Sequence, residues 1–422
     1  MRRGAVIEHC LWADDPSPER EMVPVPEACD VVVVGAGYTG LAAARALARH
    51  GASVVVLERH SVGWGASGRN GGFVLPGYKP EVDALARKLG LDEAGRLFRL
   101  SLESIDSLER LIRDEGIACD YTRCGAITLA ARPGHVRSLE ASAKFLRDSV
   151  RYATMVLGPK ELATEIGSTR YHGGLLDPGA GSLHPGQYVR GLARAAERAG
   201  AIIAERAAVR AVRHDGKGMI VSTEWGRIRA REVLVATNGY TGSAFPDLRR
   251  RVVPVGSYII ATVPLEPELA ARLIPRARVF SDTKNLLYYF RLSPDRRMVF
   301  GGRAAFTPAP VAKAAAVLKR GMVEVFPELE GTTVQYAWGG NVALALDHMP
   351  HAGKLGDLHY SLAYAGHGVA MSTWLGTRMG DALAGTGPLP SISSGFKAIP
   401  LYHGRPWFLP FVGAYYRMRD LF

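Results

Sequence analysis

The chain has 422 residues, 47% hydrophobic and 22% charged, the composition of a globular protein long enough for two domains and a large core. Its net charge of +12 favours anionic partners, but the arginines are spread along the chain without a basic run of five or six, which argues against nucleic acid or stable membrane insertion. No apolar run approaches the ~20 residues of a bilayer span, and Cys10, Cys29, Cys119 and Cys124 show neither metal-ligand nor disulfide-scaffold spacing, so a reducing cytoplasm is expected.

Residues 1–27 are polar, contain four prolines and lack the apolar stretch of a secretory signal; they are expected to form an arm laid over the surface. The next stretch, Asp30 to Glu58, organises the rest. Val31 to Val34 reads as a buried parallel strand that runs directly into Gly35. Gly35, Gly37 and Gly40 give G-x-G-x-x-G: a tight turn, close backbone approach to a pyrophosphate, and close packing of helix on strand. A helix follows up to Gly51, then a second strand, Val54 to Leu57. Glu58 closes that strand 23 residues after Gly35, where a carboxylate accepts from both ribose hydroxyls of an adenosine and repels a 2'-phosphate. A dinucleotide site is implied; this stretch alone does not choose between NAD and FAD.

Gly63 to Gly72, GWGASGRNGG, carries five glycines in ten residues, so backbone amides can approach a large flat ligand while Arg69 and Asn70 offer side-chain hydrogen bonds. At this loop the sequence resembles the FAD-dependent D-amino acid oxidase superfamily, which includes glycine oxidase, sarcosine oxidase and gamma-glutamylputrescine oxidase. The resemblance places the loop beside the isoalloxazine ring. Val82 to Glu115 reads as helix broken at Gly90, Gly125 to Ala130 as a strand, Val136 to Ser149 as an amphipathic helix, and Gly173 to Pro185 as a turn-rich stretch before a helix from Gln187 to Ala199. His184, before a proline, is read as structural. Strands follow at 201–205, 209–214 and 219–223, and Arg231 to Gly239, REVLVATNG, is a buried strand whose place in the superfamily lies near the adenine, which favours FAD.

From Val252 the pattern turns to longer alternating strands, 252–263, 286–292 and 298–302, suited to a mixed or antiparallel sheet lining a pocket. This sheet carries Tyr258, Tyr288, Tyr289, Phe290, Arg291 and Arg303. Later, Tyr364-Ala365-Gly366-His367-Gly368 opens a long helix; its N-terminal partial charge, aimed at the pyrimidine end of a flavin, would stabilise the reduced form. His348 and His351, with Asp347 as the one nearby acid, do not read as a metal site. The aromatic residues from Phe396 onward are expected to pack in the core.

The expected fold class is α/β, in two domains: a Rossmann-like FAD-binding domain of the glutathione reductase type (28–80, 173–245 and 335–390) and a substrate domain on a mixed or antiparallel sheet (81–172 and 246–334), with a tail at 391–422. GWGASGRNGG, LDPGAGSLHP, WGG and LDHMPHAG resemble the gamma-glutamylputrescine oxidase group most. The resemblance implies cofactor contacts from Gly35, Gly37, Tyr38, Thr39, Gly40, Glu58, Arg59, Gly65, Ala66, Ser67, Arg69, Asn70, Gly71, Gly72, Ala236, Thr237, Asn238, Gly366, His367, Gly368 and Val369. Arg69 and His367 are expected near the flavin as catalytic groups, with Tyr258, Tyr289 and Trp338 in the substrate pocket. Two departures stand out. No cysteine follows Cys124, so the covalent attachment of sarcosine oxidases is absent and the FAD is expected to be non-covalent. The lysines that those enzymes use for the substrate carboxylate and over the flavin fall at Ala370 and near Phe300. The expected activity is oxidation of the C–N bond of an amine or amino-acid-derived substrate by hydride transfer to flavin N5, giving an imine that hydrolyses, with O2 or another acceptor. Alternatives are a dehydrogenase serving a quinone or carrier, an NADPH-using flavin hydroxylase, or a flavin-binding module without turnover.

Overall fold

Val31 to Val34 are buried in the strand Ala28–Val34, which pairs in parallel with Val54–Leu57 on one side and Gly226–Val235 on the other. The computed structural model describes residues 6–14, 20, 23–302, 309–393 and 395–420. The first sheet continues to Ile202–Ala204 at one edge and to Leu358–Leu362 and His351–Leu355 at the other, and an antiparallel ribbon, Val209–His214 with Met219–Thr223, branches from Gly226–Val235. Alternation divides its core. Val31, Val33, Val54 and Val56 pack under the helices Tyr38–Arg49, Pro185–Arg198 and Gly368–Leu383, whereas Val32, Val34, Val55 and Leu57 meet Val221, Val233 and Phe245 on the opposite face.

The second sheet has eight strands in the order Val334–Leu344, Val253–Thr262, Met298–Gly302, Tyr288–Leu292, Val279–Asp282, Ala126–Leu129, Gly174–Asp177 and Met155–Leu157. All its pairings are antiparallel except Val279–Asp282 with Ala126–Leu129. Its outer face buries Ile127, Leu176 and a stack of Phe280, Phe290 and Phe300 at 5.3 and 5.4 Å against the helix Val311–Val325. Its other face turns toward the first sheet and lines a cavity.

Several expectations change. Gly174–Asp177 and Val334–Leu344, assigned from sequence to the cofactor domain, hydrogen-bond into the second sheet, so the boundaries at 173 and 335 cut through it. The N-terminal arm lies over the surface for most of its described length but enters the core at two residues: Ile7 N donates to Gln335 O and Ile7 O accepts from Ala337 N, and Cys10 and Trp12 are 5% and 2% exposed. The C-terminal aromatics are divided, with Tyr402 and Leu409 buried and Trp407 and Phe411 exposed at 61% and 71%. Gly90 breaks the helical stretch as expected, at φ +89° between Val82–Leu89 and Leu91–Asp114. Arg303 lies outside the described residues. No described helix is long and apolar enough to cross a membrane.

Candidate active site

Two helices whose N-cap residues, Gly37 and His367, give no side-chain cap meet at one cavity, and Ser67 Oγ accepts from the first amide of one of them, Tyr38 N, at 3.0 Å. Tyr38–Arg49 follows the first glycine turn, with Gly35 at φ +107°, and Gly368–Leu383 follows His367. A Cβ on Gly40 would stand 1.9 Å from Gly35 O, so this glycine lets the helix close onto its own turn, the packing role expected of it. The helices touch backbone to backbone: a Cβ on Gly376 would lie 2.3 Å from Thr39 O, and one on Gly380 would lie 2.6 Å from Ala43 O. A 2.6 Å hydrogen bond between Thr39 Oγ1 and Tyr364 Oη ties the first turn of one to the segment leading into the other, and burial pushes the Tyr364 phenol up to about 12. Each N-terminus presents backbone N–H groups and about half a positive charge.

The cavity, of about 910 Å³, runs between the two sheets past both N-termini. That is the upper end of the range for small-molecule and cofactor sites. Gly35, Gly37, Tyr38, Thr39, Glu58, Arg59, Gly65, Ala66, Ser67, Arg69, Asn70, Gly71, Ala236, Thr237, Asn238, Gly366, His367, Gly368 and Val369 all line it. Of the expected cofactor residues, Gly40 and Gly72 do not. Gly72 sits behind the lining at φ +77°, where a Cβ would meet Leu183 O at 2.2 Å. Glu58 is held with Oε2 accepting from Ala36 N and Oε1 from His60 N, both at 2.9 Å, so its remaining lone pairs are fixed toward the cavity. Asn238, Ala363 and Ala365 adopt positive φ (44°, 70° and 53°) at the rim, and Asn238 Oδ1 accepts from Ala363 N at 2.9 Å. Left-handed alanines are the strained backbone that clusters at functional sites.

The glycine-rich loop contains one helical turn, Ala66–Arg69, and ends in the strand Phe73–Val74. Four successive carbonyls of this loop each accept a side-chain donor. Cys10 Sγ reaches Gly68 O at 3.3 Å, Trp338 Nε1 reaches Arg69 O at 2.9 Å, Trp12 Nε1 reaches Asn70 O at 2.8 Å, and Arg291 Nε reaches Gly71 O at 2.8 Å. Trp338 is therefore not a pocket residue. It points to the cavity side of its sheet, but the loop lies over it, and it is 2% exposed beneath. Tyr258 is not one either. It sits between Ser257 and Ile259, which line the cavity, so alternation turns its ring to the opposite face, where its hydroxyl accepts from Ala309 N at 2.8 Å. Tyr289 does line the cavity, with its hydroxyl 3.0 Å from Ser257 Oγ and its ring edge-on to Phe73 at 5.7 Å. Arg69 spends its guanidinium on carbonyls, Nε on Trp64 O at 2.6 Å and Nη1 on Gly339 O at 3.2 Å, and so fastens the loop to the second sheet.

Burial, with the charge of Lys79, lowers His367 to about 4, so its ring is neutral at pH 7, and its Nδ1 is buried without a partner among the described residues. His184 is also lowered to about 4 by burial and the charges of Arg190 and Arg291. It is structural, as expected: Nδ1 accepts from Gln187 N at 3.2 Å and caps Pro185–Arg198, and its ring packs on Trp12 at 4.9 Å, outside the cavity lining. Arg291, fully enclosed, is lowered to about 10 by burial. His351 is engaged by Asp347 at 2.9 Å, and among the described residues no group of three or more His, Cys, Asp or Glu is placed to hold a metal. Sequence reasoning missed Lys79, Tyr240, Asn341 and Asp177, all of which line the cavity.

The donor set fits FAD. The glycine turn and first helix N-terminus suit a diphosphate, Glu58 a ribose, and the second helix N-terminus with the orphaned His367 nitrogen the ring end. A family model, FAD dependent oxidoreductase (DAO), matches residues 30–382. The chain belongs to this family. The DAO assignment makes it an FAD-dependent oxidoreductase of the α/β class. Among curated DAO-like relatives, it is 35% identical to a probable oxidoreductase OrdL of Haemophilus influenzae, over 90% of this chain and 88% of that one. It is 33% identical to the gamma-glutamylputrescine oxidoreductase of Escherichia coli over 93% of each. Its fold is similar to that of glycine oxidase from Geobacillus kaustophilus, at TM-score 0.74 and 19% identity, covering 89% of this chain and all of that one.

Proposed function

We propose that this DAO-family protein oxidises the C–N bond of a primary or secondary amine, with gamma-glutamyl amines as the first substrate class to test. The supporting relative is the gamma-glutamylputrescine oxidoreductase, 33% identical over nearly the whole length. The observation that carries the reading is the neutral His367 ring at the mouth of the second helix. An alkylammonium cannot release hydride, because the nitrogen lone pair must push. A neutral imidazole with an unpartnered nitrogen can accept a hydrogen bond from the substrate nitrogen, and burial in the same cavity lowers an ammonium pKa. Bound FAD supplies the hydride acceptor, at N5. The protein's part is to hold the donor carbon against the loop clamped by Trp12, Trp338 and Arg291, with the Tyr289 ring beside that loop, and to exclude water. The substrate loses a hydride and a proton and leaves as an imine, which hydrolyses to an aldehyde or ketone. None of the four cysteines lines the cavity, which supports non-covalent FAD.

The test is an anaerobic absorbance titration of the holoprotein with gamma-glutamyl amines, polyamines, N-methyl amino acids and D-amino acids. Bleaching of the flavin bands by an amine supports the reading, and peroxide on readmitting air identifies O2 as the acceptor. Slow reoxidation by air with fast reoxidation by a quinone assigns a dehydrogenase. A flavin that no amine bleaches, but NADPH does, refutes the proposal in favour of a hydroxylase.

A further inference from the structure

The second sheet presents a continuous floor to the cavity. Tyr289 pairs with Ser281, Ser281 with Thr128, and Thr128 with Leu175, and all four line the cavity. Two residues beyond Leu175 on the same face is Asp177, paired with Ala126, which also lines it. The burial pattern of Gly174–Asp177 alternates, with Gly174 and Leu176 in the apolar core and Leu175 and Asp177 on the cavity side. A carboxylate at an inward-facing position of a buried strand calls for a partner.

Its protein partners engage one oxygen. Tyr152 Oη and Gly179 N, the latter at 2.9 Å, both donate to Asp177 Oδ1. Oδ2 has no donor among the described residues. Tyr152 is itself fixed by the ring of Phe98, edge-on at 5.0 Å, so the carboxylate is held in one orientation. Arg123, whose charge also acts on Tyr152, is occupied by Asp106 at 2.7 Å and Glu109 at 2.8 Å. Burial raises the Asp177 carboxyl above the usual range, as it does for a carboxylate enclosed without a cation.

We propose that Asp177 is a distal recognition site for a second cationic group, an ammonium or guanidinium, at the far end of a linear amine whose reacting carbon lies at the glycine-rich loop. Three strand intervals separate Tyr289 from Asp177, about 14 Å across the sheet, with about 7 Å of offset along it. Once the two side chains close part of that distance, a ligand about nine or ten bonds long spans it. The apolar and hydroxyl floor between, Leu175, Ala126, Thr128 and Ser281, suits a methylene or amide chain and offers no competing charge. This rests on the amine-oxidation reading above and specifies its substrate class.

The test compares wild-type holoenzyme with Asp177→Asn and Tyr152→Phe, using linear monoamines and α,ω-diamines of matched length. Asp177→Asn is expected to raise KM for long diamines at least tenfold, with kcat within twofold and monoamine kinetics unchanged. Tyr152→Phe retains the carboxylate and is expected to keep the preference for diamines. Binding of an α,ω-bisguanidinoalkane, which has no amine to oxidise, is read in parallel from the flavin difference spectrum. It is expected to weaken at least tenfold in Asp177→Asn. Equal effects on monoamines and diamines, or unchanged bisguanidine binding, overturn the proposal. If amines fail to bleach the flavin but bisguanidine binding still depends on Asp177, the reaction assignment falls and the subsite stands.

Discussion

Replacing Trp12 by phenylalanine keeps an aromatic ring against His184 and Trp338, at 4.9 and 6.1 Å, and removes one hydrogen bond, the 2.8 Å contact from Nε1 to Asn70 O. With the loop placed as the structure shows it, that carbonyl has no other donor among the described residues, so the variant carries a buried unsatisfied acceptor there, costing about 1–3 kcal/mol. In the cofactor-free state the loop can open and water can take the donor's place, so most of the cost is felt on binding. At about 1.4 kcal/mol per factor of ten, the FAD dissociation constant should rise about 5- to 150-fold. Trp225 is the internal control. Its Nε1 also donates to a carbonyl at 2.8 Å, Arg206 O, but the residue is 59% exposed, so Trp225→Phe should change FAD affinity less than twofold. The assay is fluorescence titration of cofactor-free protein with FAD, with far-UV circular dichroism to show that the variants are folded. Wild-type affinity in folded Trp12→Phe would refute the idea that side-chain donors to the loop carbonyls preorganise the site.

Gly376→Ala inserts a methyl 2.3 Å from Thr39 O and should lose about 1–3 kcal/mol of stability together with FAD affinity, whereas Gly331→Ala, with nothing within 4 Å of its Cβ, should be near neutral; paired thermal melts with and without FAD check this. His184 and His367 stay neutral in the native state down to about pH 4, while in the unfolded chain they protonate near 6.5. Stability is therefore fully present above about pH 6.5 and is lost as pH falls toward 4, by roughly 3 kcal/mol per histidine. His184→Asn keeps a cap acceptor, so it should shrink the difference in urea stability between pH 7 and pH 4.5; an unchanged difference would remove His184 from the explanation. Glu58→Gln replaces one of two amide-accepting oxygens by a donor and should weaken FAD binding about tenfold and lower cofactor-free stability by about 1–3 kcal/mol, read by FAD titration and by thermal melts without FAD.

The strand, glycine turn, helix and acid from Val31 to Glu58 were legible because each residue's role is local: φ at Gly35, clearance at Gly40, a carboxylate at a strand end. Gly90 was legible for the same reason. Trp338 and Tyr258 were misplaced because alternation gives two faces but not which one is covered; for Trp338 the answer depends on a loop 269 residues away in sequence. The pairing of Gly174–Asp177 and Val334–Leu344 into the second sheet is likewise set by partners distant in the chain, and Asp177 becomes visible as a cavity group only once that pairing is known. The core position of Cys10 and Trp12 had no local signal at all, because a short polar segment reads as surface until its binding groove exists.

That groove is built late. Ile7 docks on Gln335 and Ala337, and the loop beneath Trp12 is closed from its other side by Arg291 and Trp338. At about 5–20 residues per second of synthesis, the earliest described segment waits on the order of half a minute for the strand that receives it. The glycine-turn βαβ unit can form well before then, but the ring end of the site cannot close until Trp338 has been made. Nascent protein should therefore acquire its dinucleotide-binding turn first and its flavin-gripping loop last, and a ribosome stalled before Trp338 should display an open cofactor cleft.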